Sequence, residues 1–429
     1  MINLDNIQKA YFIGIGGIGM SALAQLLKER NIEVIGSDAS DSPVTDKLSQ
    51  VGIKVFFEQK AENITNDIDL VVYTIAIPES NPELSVARQK KIETKTYPEM
   101  LGVVSEGYFT IAISGTHGKT TTAAMTADVL VDGGLAPTAI VGSLVTRYKS
   151  NFIPGDNKYF LVESCEYKRS FLHIKPNILA ITNIEEDHLD YYKDLSDIQS
   201  AFHNLALKVP KDGYIVCDPK DPTVATVIGG VEATIVDYTL TPNLSLTVHG
   251  KYNVENSKVA YTIGELLGVG IKDIENSLVK FSGTWRRFEY KGETSAGALV
   301  FDDYAHHPSE IRATLEMFAE SFPNKKRIVV FQPHLFSRTK SLLSEFAKSF
   351  GRADTVIIVP IYAAREKDDG SVTHEVLAEA VRGTNSDVRV VGSLESAGNL
   401  LKGVAGSDGA IVTMGAGNVY LVGEALINK

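Results

Sequence analysis

The chain is poor in cysteine and contains no long apolar run. Its two cysteines, Cys165 and Cys217, cannot build a disulfide framework, which fits a reducing compartment. No apolar run approaches the roughly 18 residues that a membrane helix needs. The segment from Met1 to Ala10 has no basic region followed by an apolar core, so we expect no secretory signal. We therefore expect a cytoplasmic protein with no membrane partner.

The chain also lacks an excess of basic residues. Lysine and arginine together number 42 against 53 aspartates and glutamates, and the formal net charge is −11. Binding to nucleic acid needs a basic face that neutralises phosphates, so we expect no nucleic-acid partner. An anionic ligand has to be held by local sites, because the overall field of the protein does not attract it.

Strand and helix patterns alternate along the chain. The 429 residues fit about three domains, and a hydrophobic content of 44% with 22% charged residues is that of a globular protein. We predict an α/β fold of three consecutive α/β domains, at 1–106, 107–284 and 285–429, each with a parallel sheet. Predicted helices include one at 254–267, which closes the second domain, and one at 341–350 in the third.

A glycine loop in the second domain carries the most specific motif. It runs from Ser114 to Thr122, after an apolar run at 109–113 and before a helical pattern at 123–131. This order of strand, loop and helix predicts a phosphate site, because loop N–H groups and the positive helix end attract anions. We predict that Lys119 reaches the outer phosphates of a nucleotide and that Thr120 ligates Mg²⁺. The predicted phosphate-binding residues are Gly115, Thr116, His117, Gly118, Lys119, Thr120 and Thr121.

The spacing of this loop is shorter than the general pattern. Ile113 stands where that pattern has a glycine, which leaves the form Gly115-x-x-Gly118-Lys119-Thr120. The alternative is an ordinary glycine turn before a helix. A Gly-Lys-Thr-Thr run at a strand-to-helix junction favours the phosphate site.

A second glycine loop follows the first predicted strand. Asp38 ends the next strand, about 20 residues further on, where dinucleotide-binding proteins place an acid for the ribose. The pattern indicates an NAD(P)-dependent oxidoreductase or, because glycines let the backbone approach any diphosphate, a nucleotide-sugar site. A purely structural turn is the third alternative. The predicted ligand-binding residues of this loop are Gly14, Gly16, Gly17, Ile18 and Gly19.

Acidic residues follow two further strands of the second domain. Glu163 comes directly after a buried strand and is the better candidate for a Mg²⁺ ligand, with Glu166 behind it. The segment from Thr182 to Asp190 follows the next strand, and its His188 could bind a second metal ion or orient a carboxylate. A solvated acidic turn is the alternative for Glu163 and Glu166, and a surface or helix-capping histidine is the alternative for His188.

Histidine and cationic residues collect in the last third of the chain. Arg286 and Arg287 lie at the domain junction, Asp302 to Pro308 ends one predicted strand, and Gln332 to Thr339 ends the next. Because parallel strands end at the same edge of a sheet, these segments predict a ligand crevice along that edge.

The order of these motifs resembles the Mur ligase family, the ATP-dependent amide-forming enzymes of peptidoglycan precursor synthesis. The resemblance spans nearly the whole chain and is carried by the two glycine loops, Glu163 to Glu166, Asn183 to His188, Tyr252-Asn253-x-x-Asn256, Arg286 to Glu289 and Asp302 to Pro308. It implies a Rossmann-like first domain for a UDP-sugar and a phosphate-loop central domain for ATP. It also implies a Rossmann-like third domain that closes over ATP and the amino acid.

The resemblance also implies roles for single residues. The glycines of the first loop and Asp38 would hold the UDP-sugar, and Lys119 would bind phosphate. Two Mg²⁺ ions would be bound, the first by Thr120 and Glu163 and the second by His188. The remaining implied residues are Asn256, Arg287 and Asp303 for the nucleotide, Tyr304, His306, His334 and Arg338 for the amino acid, and Lys119, His188, His306 and Arg338 for catalysis.

Within the family, the histidine in the phosphate loop and the Gln332 to Thr339 run resemble members that add L-alanine to UDP-N-acetylmuramate. The alternative is the branch that attaches a preformed tripeptide to the same sugar. Three positions depart from the family pattern: Leu335 replaces an arginine, Tyr252 replaces a histidine, and the acidic loop contains Cys165. Outside the family, an NAD(P)-dependent oxidoreductase or a nucleotide-binding regulator without ligase activity is the alternative. We expect a monomer or a homodimer.

Overall fold

The computed structural model describes residues 2–189, 191–364, 366–368 and 370–427. Across these ranges no helix combines the length and apolarity needed to cross a membrane. The strands are β1 (Lys9–Ile13), β2 (Glu33–Ser37), β3 (Lys54–Phe56), β4 (Leu70–Tyr73), β5 (Glu93–Thr96), β6 (Phe109–Ser114), β7 (Pro137–Val145), β8 (Ser150–Ile153), β9 (Asp156–Glu163), β10 (Ile178–Ile181), β11 (Tyr214–Cys217), β12 (Thr234–Asp237), β13 (Glu289–Glu293), β14 (Leu299–Asp303), β15 (Lys326–Phe331), β16 (Thr355–Ile358), β17 (Val388–Val390) and β18 (Gly409–Met414).

Helices connect most of these strands. The α-helices are α1 (Ile18–Glu29), α2 (Pro43–Gln50), α3 (Pro82–Gln89), α4 (Tyr97–Ser105), α5 (Lys119–Asp132), α6 (Leu195–Ala206), α7 (Pro222–Ala225), α8 (Lys251–Leu266), α9 (Ile271–Val279), α10 (Pro308–Ser321), α11 (Phe336–Ser341), α12 (Leu343–Ala347), α13 (His374–Arg382), α14 (Leu394–Val404) and α15 (Tyr420–Ile427). Short 3₁₀ helices lie at Leu4–Asn6, Ala61–Asn63, Tyr167–His173 and Tyr238–Leu240.

The first sheet is parallel, with the strand order β3-β2-β1-β4-β5. Its central strand β1 is buried on both faces: Ala10 and Phe12 pack into one core cluster, and Tyr11 and Ile13 into another. From β1 the sheet grows through β2 and β3 on one side and through β4 and β5 on the other, so the strand order reverses at β1. Such a reversal places a ligand crevice at the carboxyl end of β1. Gly14 follows β1 directly, so the first glycine loop lies at that edge.

The second sheet has the order β12-β11-β10-β6-β9-β7-β8, and β8 alone of its paired strands is antiparallel to its neighbour. β6 lies between β10 and β9. Its register pairs Ile113 with Glu163 and Ser114 with Ile181. The phosphate loop, the carboxylate of Glu163 and the segment from Thr182 therefore leave the sheet at one edge.

The third sheet has the order β13-β14-β18-β15-β16-β17. It is parallel except for the edge strand β13. The strands β14, β18 and β15 end side by side, because the register pairs Asp303 with Met414 and Phe331 with Met414. Both predicted motif segments of the last third follow strands of this trio.

The chain forms two compact units. The first unit contains the first two sheets and consists of the chain up to Thr247 together with Tyr252–Ser282. The second unit consists of Val248–Lys251 and the chain from Gly283. The first two sheets share a continuous apolar core, in which Met100 and Leu101 of α4 pack in one cluster with Phe160 and Phe171. The predicted boundaries at 106/107 and 284/285 stay predictions.

The predicted fold class, three consecutive α/β domains, is confirmed. The predicted helix at 254–267 is present as α8, and α9 follows it without having been predicted. The predicted helix at 341–350 is present only in part, as α12 (Leu343–Ala347), which Leu342 at φ −106° and ψ 19° separates from α11. Phe346 and Phe350 both pack on Phe331, so the apolar spacing that predicted the helix is used in the core.

A charge cluster anchors α5, the helix that begins in the phosphate loop, at its far end. Arg147, in the turn between β7 and β8, donates from Nη1 and Nη2 to Asp132 at 2.9 and 2.7 Å. The buried Asp128 lies 3.6 Å from the same guanidinium. Burial raises the pKa of Asp128 to about 6, against the opposing effect of Arg147. The cluster ties the β7–β8 hairpin to the phosphate-loop helix.

This cluster makes stability depend on pH in a defined direction. The folded state binds the Asp128 proton more tightly than the unfolded chain does, so the contribution of Asp128 is complete below about pH 4 and is lost as the pH rises through about 6. Asp128→Asn removes this dependence. We expect the difference in unfolding free energy, wild type minus variant, to fall by up to roughly 3 kcal/mol between about pH 4 and pH 7, measured by urea denaturation.

Asp132→Asn is the matched control. Arg147 lowers the pKa of Asp132, so the same difference should rise with pH in that variant. Parallel stability profiles for wild type and Asp128→Asn would contradict the assignment.

Candidate active site

The phosphate loop requires glycine at two positions. Gly115 has φ +132° and Gly118 has φ +83°, values that side chains rarely adopt. A Cβ on Gly115 would lie 2.0 Å from Oγ1 of Thr182, and one on Gly118 would lie 2.4 Å from Oδ1 of Asn256. The glycines are therefore explained by both backbone conformation and close packing.

Neighbouring strand ends hold the loop in this conformation. Asn183 accepts from N–H of Thr116 through its carbonyl at 3.0 Å and from N–H of His117 through Oδ1 at 2.9 Å. Oγ1 of Thr182 donates to the carbonyl of His117 at 2.6 Å, and N–H of Glu185 donates to Oγ1 of Thr116 at 2.9 Å. The segment after β10 thus fixes the loop before any ligand binds.

Lys119 lies beside the buried carboxylate of Glu166. Its Nζ donates to the carbonyls of Gly115 and Thr116 at 2.5 and 2.9 Å, and it lies 3.0 Å from Oε2 of Glu166. Burial by itself would lower the pKa of Lys119, but the carboxylate of Glu166 more than offsets this and raises it. Lys119 therefore stays protonated beside the loop.

Thr120 and Glu163 form a pair of oxygen donors. Oγ1 of Thr120 donates to Oε1 of Glu163 at 3.0 Å, and Oε2 of Glu163 accepts from N–H of Gly142 at 2.7 Å. A hydroxyl and a carboxylate are hard oxygen ligands of the type that Mg²⁺ takes beside a phosphate. The donor set fits the metal that the sequence predicts here.

A second set of possible metal ligands lies next to the lysine. Glu166, Asp187 and His188 each offer a ligand atom, and these atoms lie within 4.8 Å of one another. Nε2 of His188 is 3.8 Å from Oε1 of Glu166 and from Oδ2 of Asp187. His188 has φ +55°, an unusual conformation for this residue, and its ring lies 4.7 Å from that of Tyr167. Asp190, the last residue of the predicted segment, lies outside the described residues.

Asn256 lies beside the phosphate loop, where its side chain packs on Gly118. It is buried, and its Nδ2 donates to Oδ1 of Asn253 at 3.3 Å. The structure thus brings Asn256 together with the loop residues; its predicted contact with a nucleotide base stays a prediction.

The first glycine loop is closed by Asp38. Oδ2 of Asp38 accepts from N–H of Gly16 at 2.8 Å, and Oδ1 accepts from N–H of Ala39. Gly14 has φ +81°, and a Cβ on Gly19 would lie 2.5 Å from the ring of Tyr97. Asp38 therefore holds the loop in shape, a local role that dinucleotide spacing did not predict.

A cavity of about 230 Å³ separates the two glycine-loop regions. Ile18, Gly19 and Tyr97 line it from the first sheet's side, and Gly142 and Glu163 line it from the second sheet's side. Glu163 also contacts Thr120 of the phosphate loop. The cavity therefore extends from the first glycine loop to a carboxylate that lies beside the phosphate loop.

Two adjacent arginines of the second unit lie near the ring of Tyr304. Arg286 is buried and donates to Asp302 at 2.7 Å and to the carbonyls of Gly415 and Gly417, so it joins the ends of β14 and β18. Both guanidinium groups lie over the ring of Tyr304, 5.3 Å from its centre for Arg286 and 5.4 Å for Arg287.

Asp303 is buried beside Arg287. Its Oδ2 accepts from N–H of Phe288 at 2.8 Å, and its Oδ1 accepts from N–H of Ala305 at 2.7 Å. Burial raises the pKa of Asp303 to about 6, with Arg287 acting in the opposite direction. Through these two hydrogen bonds the carboxylate fixes the start of the segment that contains Tyr304 and His306.

The strand ends of the third sheet bring two histidines together. The rings of His306 and His334 are 5.8 Å apart, and Tyr362 stacks on His334 at 5.9 Å. Nη1 of Arg338 donates to Nδ1 of His334 at 3.1 Å. All four predicted amino-acid-site residues are brought together, since the ring of Tyr304 is 5.2 Å from that of His306.

Hydrogen bonds assign the tautomers of these histidines. Nδ1 of His306 lies 3.0 Å from the carbonyl of Tyr304, which only accepts, so Nδ1 carries the proton and Nε2 is the basic nitrogen of the neutral ring. The guanidinium of Arg338 only donates, so Nδ1 of His334 accepts and Nε2 carries the proton. The two rings therefore present different chemistry.

Leu335, the departure from the family pattern, is buried with φ +71°. Its N–H donates to the carbonyl of Tyr362 at 3.0 Å. The side chain is thus packed in the fold at a position where an arginine was expected to offer a charge.

Sequence reasoning missed two residues of these clusters. Asp187 lies inside a predicted motif but was not assigned a role, and its position next to His188 is the signal that could have identified it. Tyr362 follows β16 in a loop, and no sequence pattern connects it with His334.

The chain has three parallel-rich sheets in series, and a phosphate loop follows the central strand of the second sheet. This arrangement defines a three-domain α/β protein with a nucleotide-binding type of site. Three family models match the chain: "Mur ligase family, catalytic domain" at 9–109, "Mur ligase middle domain" at 113–263 and "Mur ligase, glutamate ligase domain" at 286–417. The chain belongs to the Mur ligase family.

Individual relatives match this chain over nearly its full length. The UDP-N-acetylmuramate–L-alanine ligase of Clostridium kluyveri is 39% identical over 98% of this chain and 98% of its own, and that of Clostridium acetobutylicum is 40% identical over 99% and 98%. The solved UDP-N-acetylmuramate-alanine ligase MurC from Thermotoga maritima has a TM-score of 0.82 and 26% identity, covering 97% of this chain and 98% of that one. A murein peptide ligase from Psychrobacter arcticus shares the fold, with a TM-score of 0.74 and 23% identity over 98% of both chains.

Removal of the charge on Glu163 tests the predicted metal site. Glu163→Gln keeps the shape of the side chain and replaces a carboxylate with a weaker ligand. We expect the Mg²⁺ concentration for half-maximal binding of a fluorescent ATP analogue to rise about tenfold or more. Glu265→Gln, an exposed residue of α8, is the control and should leave it unchanged. An unaltered Mg²⁺ requirement in Glu163→Gln would remove this residue from the site.

Proposed function

We propose that this chain joins L-alanine to the carboxylate of UDP-N-acetylmuramate through an acyl phosphate, with ATP converted to ADP and phosphate. The observation that carries the proposal is the full-length similarity, at 39–40% identity, to proteins named UDP-N-acetylmuramate–L-alanine ligase. The phosphate loop and the histidine cluster of the second unit supply the chemical groups that such a reaction needs. The product would be a precursor for peptidoglycan synthesis.

The chemistry explains why a nucleotide is required. A carboxylate is a poor electrophile, and an amine near neutral pH is mostly protonated, so direct amide formation stalls. Transfer of the γ-phosphoryl group to the carboxylate forms a C–O–P bond and releases ADP. The amine nitrogen then attacks the acyl carbon and forms the C–N bond, and the tetrahedral intermediate expels phosphate by breaking its C–O bond while the nitrogen loses a proton. The tasks of the protein are positioning and charge neutralisation.

The first step needs positive charge between two anions. We propose that Lys119 moves from the carboxylate of Glu166 to the outer phosphates when ATP enters the loop, because phosphate offers more negative charge. Thr120 and Glu163 would hold one Mg²⁺, and His188 the second, with Glu166 and Asp187 adjacent. Mg²⁺, when bound, supplies charge neutralisation at the phosphates.

The sugar substrate is assigned to the first glycine loop. The positive end of α1, which begins at this loop, suits a diphosphate, which UDP-N-acetylmuramate contains. The cavity between Gly19 and Glu163 leads from this loop toward the phosphate loop. We propose that the muramoyl carboxylate reaches the γ-phosphate through it.

The second unit is assigned to the amino acid. In the neutral ring of His306, Nε2 is basic, so it can take a proton from the alanine ammonium and leave the amine able to attack. Arg338, which already orients His334, provides the positive charge that a substrate carboxylate needs.

Phosphate release with a panel of acceptors tests the proposal. Wild type is assayed with ATP, Mg²⁺ and UDP-N-acetylmuramate, with L-alanine, glycine, L-serine or a preformed tripeptide as the amine. We expect turnover that needs both the UDP-sugar and L-alanine. Turnover with the tripeptide alone would replace the proposal with the tripeptide-attaching alternative. Phosphate release independent of any UDP-sugar would favour a nucleotide-binding regulator, and a fluorescence change with NADH would favour an oxidoreductase.

Lys119→Ala is the matched negative variant. Loss of a principal phosphate donor typically costs two to three decades in rate, so we expect near-complete loss of phosphate release. Retention of more than about a tenth of the wild-type rate contradicts the proposed role.

His306→Ala tests the proposed base. We expect kcat to fall by about 10²-fold or more, in line with the usual contribution of a general base, and the loss to be smaller at higher pH, where more free amine is present. The measurement is the pH profile of alanine-dependent phosphate release. His374→Ala, in a helix of the same unit, is the control, and its profile should match that of wild type. An unchanged rate and unchanged alanine affinity in His306→Ala remove the assignment.

A further inference from the structure

A buried amide joins the domains of the first two sheets. Asn151 of β8 is 1% exposed, and its Nδ2 donates to the carbonyl of Ile18 at 2.5 Å and to Oγ of Ser21 at 2.9 Å. Its Oδ1 accepts from Nε2 of Gln25 at 3.4 Å. Ile18, Ser21 and Gln25 follow one another along one face of α1. We call this contact of α1 with β7 and β8 the seam.

Most of the other core side chains around the seam are apolar, and one further polar contact, from Nζ of Lys47 in α2 to the carbonyl of Lys149, lies at the β7–β8 turn. Phe152 and Ile140 of the hairpin pack in the same core cluster as Leu23 and Leu26 of α1. Apolar contacts permit small sliding movements, whereas a buried polar group loses its hydrogen bonds if it moves. Asn151 therefore fixes the part of α1 that begins at Ile18 against β8, next to the first glycine loop.

Both walls of the cavity depend on this position. Ile18, whose carbonyl accepts from Asn151, and Gly19 line one wall. Ile140 and Gly142 line the other, and β7 pairs Ile140 with Phe152, the residue next to Asn151. Asn151 is thus connected to one wall through its side chain and to the other through its strand.

The second wall includes the predicted metal ligand. Gly142 donates its N–H to Glu163 at 2.7 Å, and Glu163 in turn accepts from Thr120. A shift of α1 against β8 would therefore change the distance between the first glycine loop and the carboxylate that lies next to the phosphate loop.

We propose that Asn151 is a positioning residue that sets this distance, and with it the alignment of the muramoyl carboxylate with the γ-phosphate of ATP. The inference rests on the proposed function. Asn151 acts through α1 and β7, since its side chain is buried in the seam and contacts the backbone of Ile18. Misplacement of reacting groups by about 1 Å can cost about 10²-fold in rate, so a small shift is sufficient to be measured.

Asn151→Asp tests the proposal. Aspartate has the same size, but it has no N–H to donate and, when ionised, it places a negative charge against the carbonyl of Ile18. We expect kcat for phosphate release with UDP-N-acetylmuramate and L-alanine to fall about tenfold or more, while KM for ATP stays within about twofold. A residue with a purely structural role would lower the thermal midpoint without this separation of kcat from KM for ATP.

Two further variants keep the test decisive. Ser21→Ala removes one partner of Asn151 from the helix side; it should change kcat in the same direction by a smaller factor, and it carries the test if Asn151→Asp does not fold. Arg30→Ala is the matched control, because Arg30 joins the other end of α1 to Tyr108 at 2.7 Å, outside the cavity lining. Its kcat should stay within about twofold of wild type.

The outcomes separate the inference from the function on which it rests. Wild-type kcat in both Asn151→Asp and Ser21→Ala overturns the positioning role and leaves the proposed function intact. Equal losses in kcat and in affinity for ATP also overturn it, because they indicate general damage to the domain. A wild-type protein with no phosphate release that depends on the UDP-sugar overturns both.

Discussion

Parallel pairing of β10, β6 and β9 brings three chain segments to one edge of the second sheet, and the rest of the candidate site depends on that register. It pairs Ile113 with Glu163, so the carboxylate at the end of β9 lies next to the loop that follows β6. The segment after β10 then fixes the loop through Asn183. A register shift of one residue would turn Glu163 to the other face of the sheet, away from Thr120. The strand alignment is therefore as important to the site as the glycine motif itself.

Charge placement depends on this alignment in turn. Lys119 lies beside the buried carboxylate of Glu166, and each offsets the cost of burying the other. The lysine therefore stays charged, although burial by itself favours its neutral form. A negative net charge over the whole chain is compatible with a polyphosphate ligand, because this positive charge lies at the phosphate loop itself.

The second unit uses hydrogen bonds in a comparable way. The sequence shows His306 and His334, but a histidine by itself does not indicate which ring nitrogen carries its proton. The carbonyl of Tyr304 and the guanidinium of Arg338 decide this in opposite directions. Nε2 is therefore the unprotonated nitrogen in the neutral ring of His306 and the protonated nitrogen in that of His334. This difference arises from groups that the fold places around the two rings.

The sequence by itself determined the three α/β domains, both glycine loops and the acidic ends of their neighbouring strands. These features depend on local rules: a positive φ requires glycine at Gly115, and an apolar run before it forms a buried strand. The tertiary structure alone decided the antiparallel edge strands β8 and β13, the pairing of Glu166 with Lys119, and the contacts of Tyr362 and Asn151. Asn151 lies more than a hundred residues from Ile18 in the chain, and burial and register, which local patterns do not encode, bring them into contact.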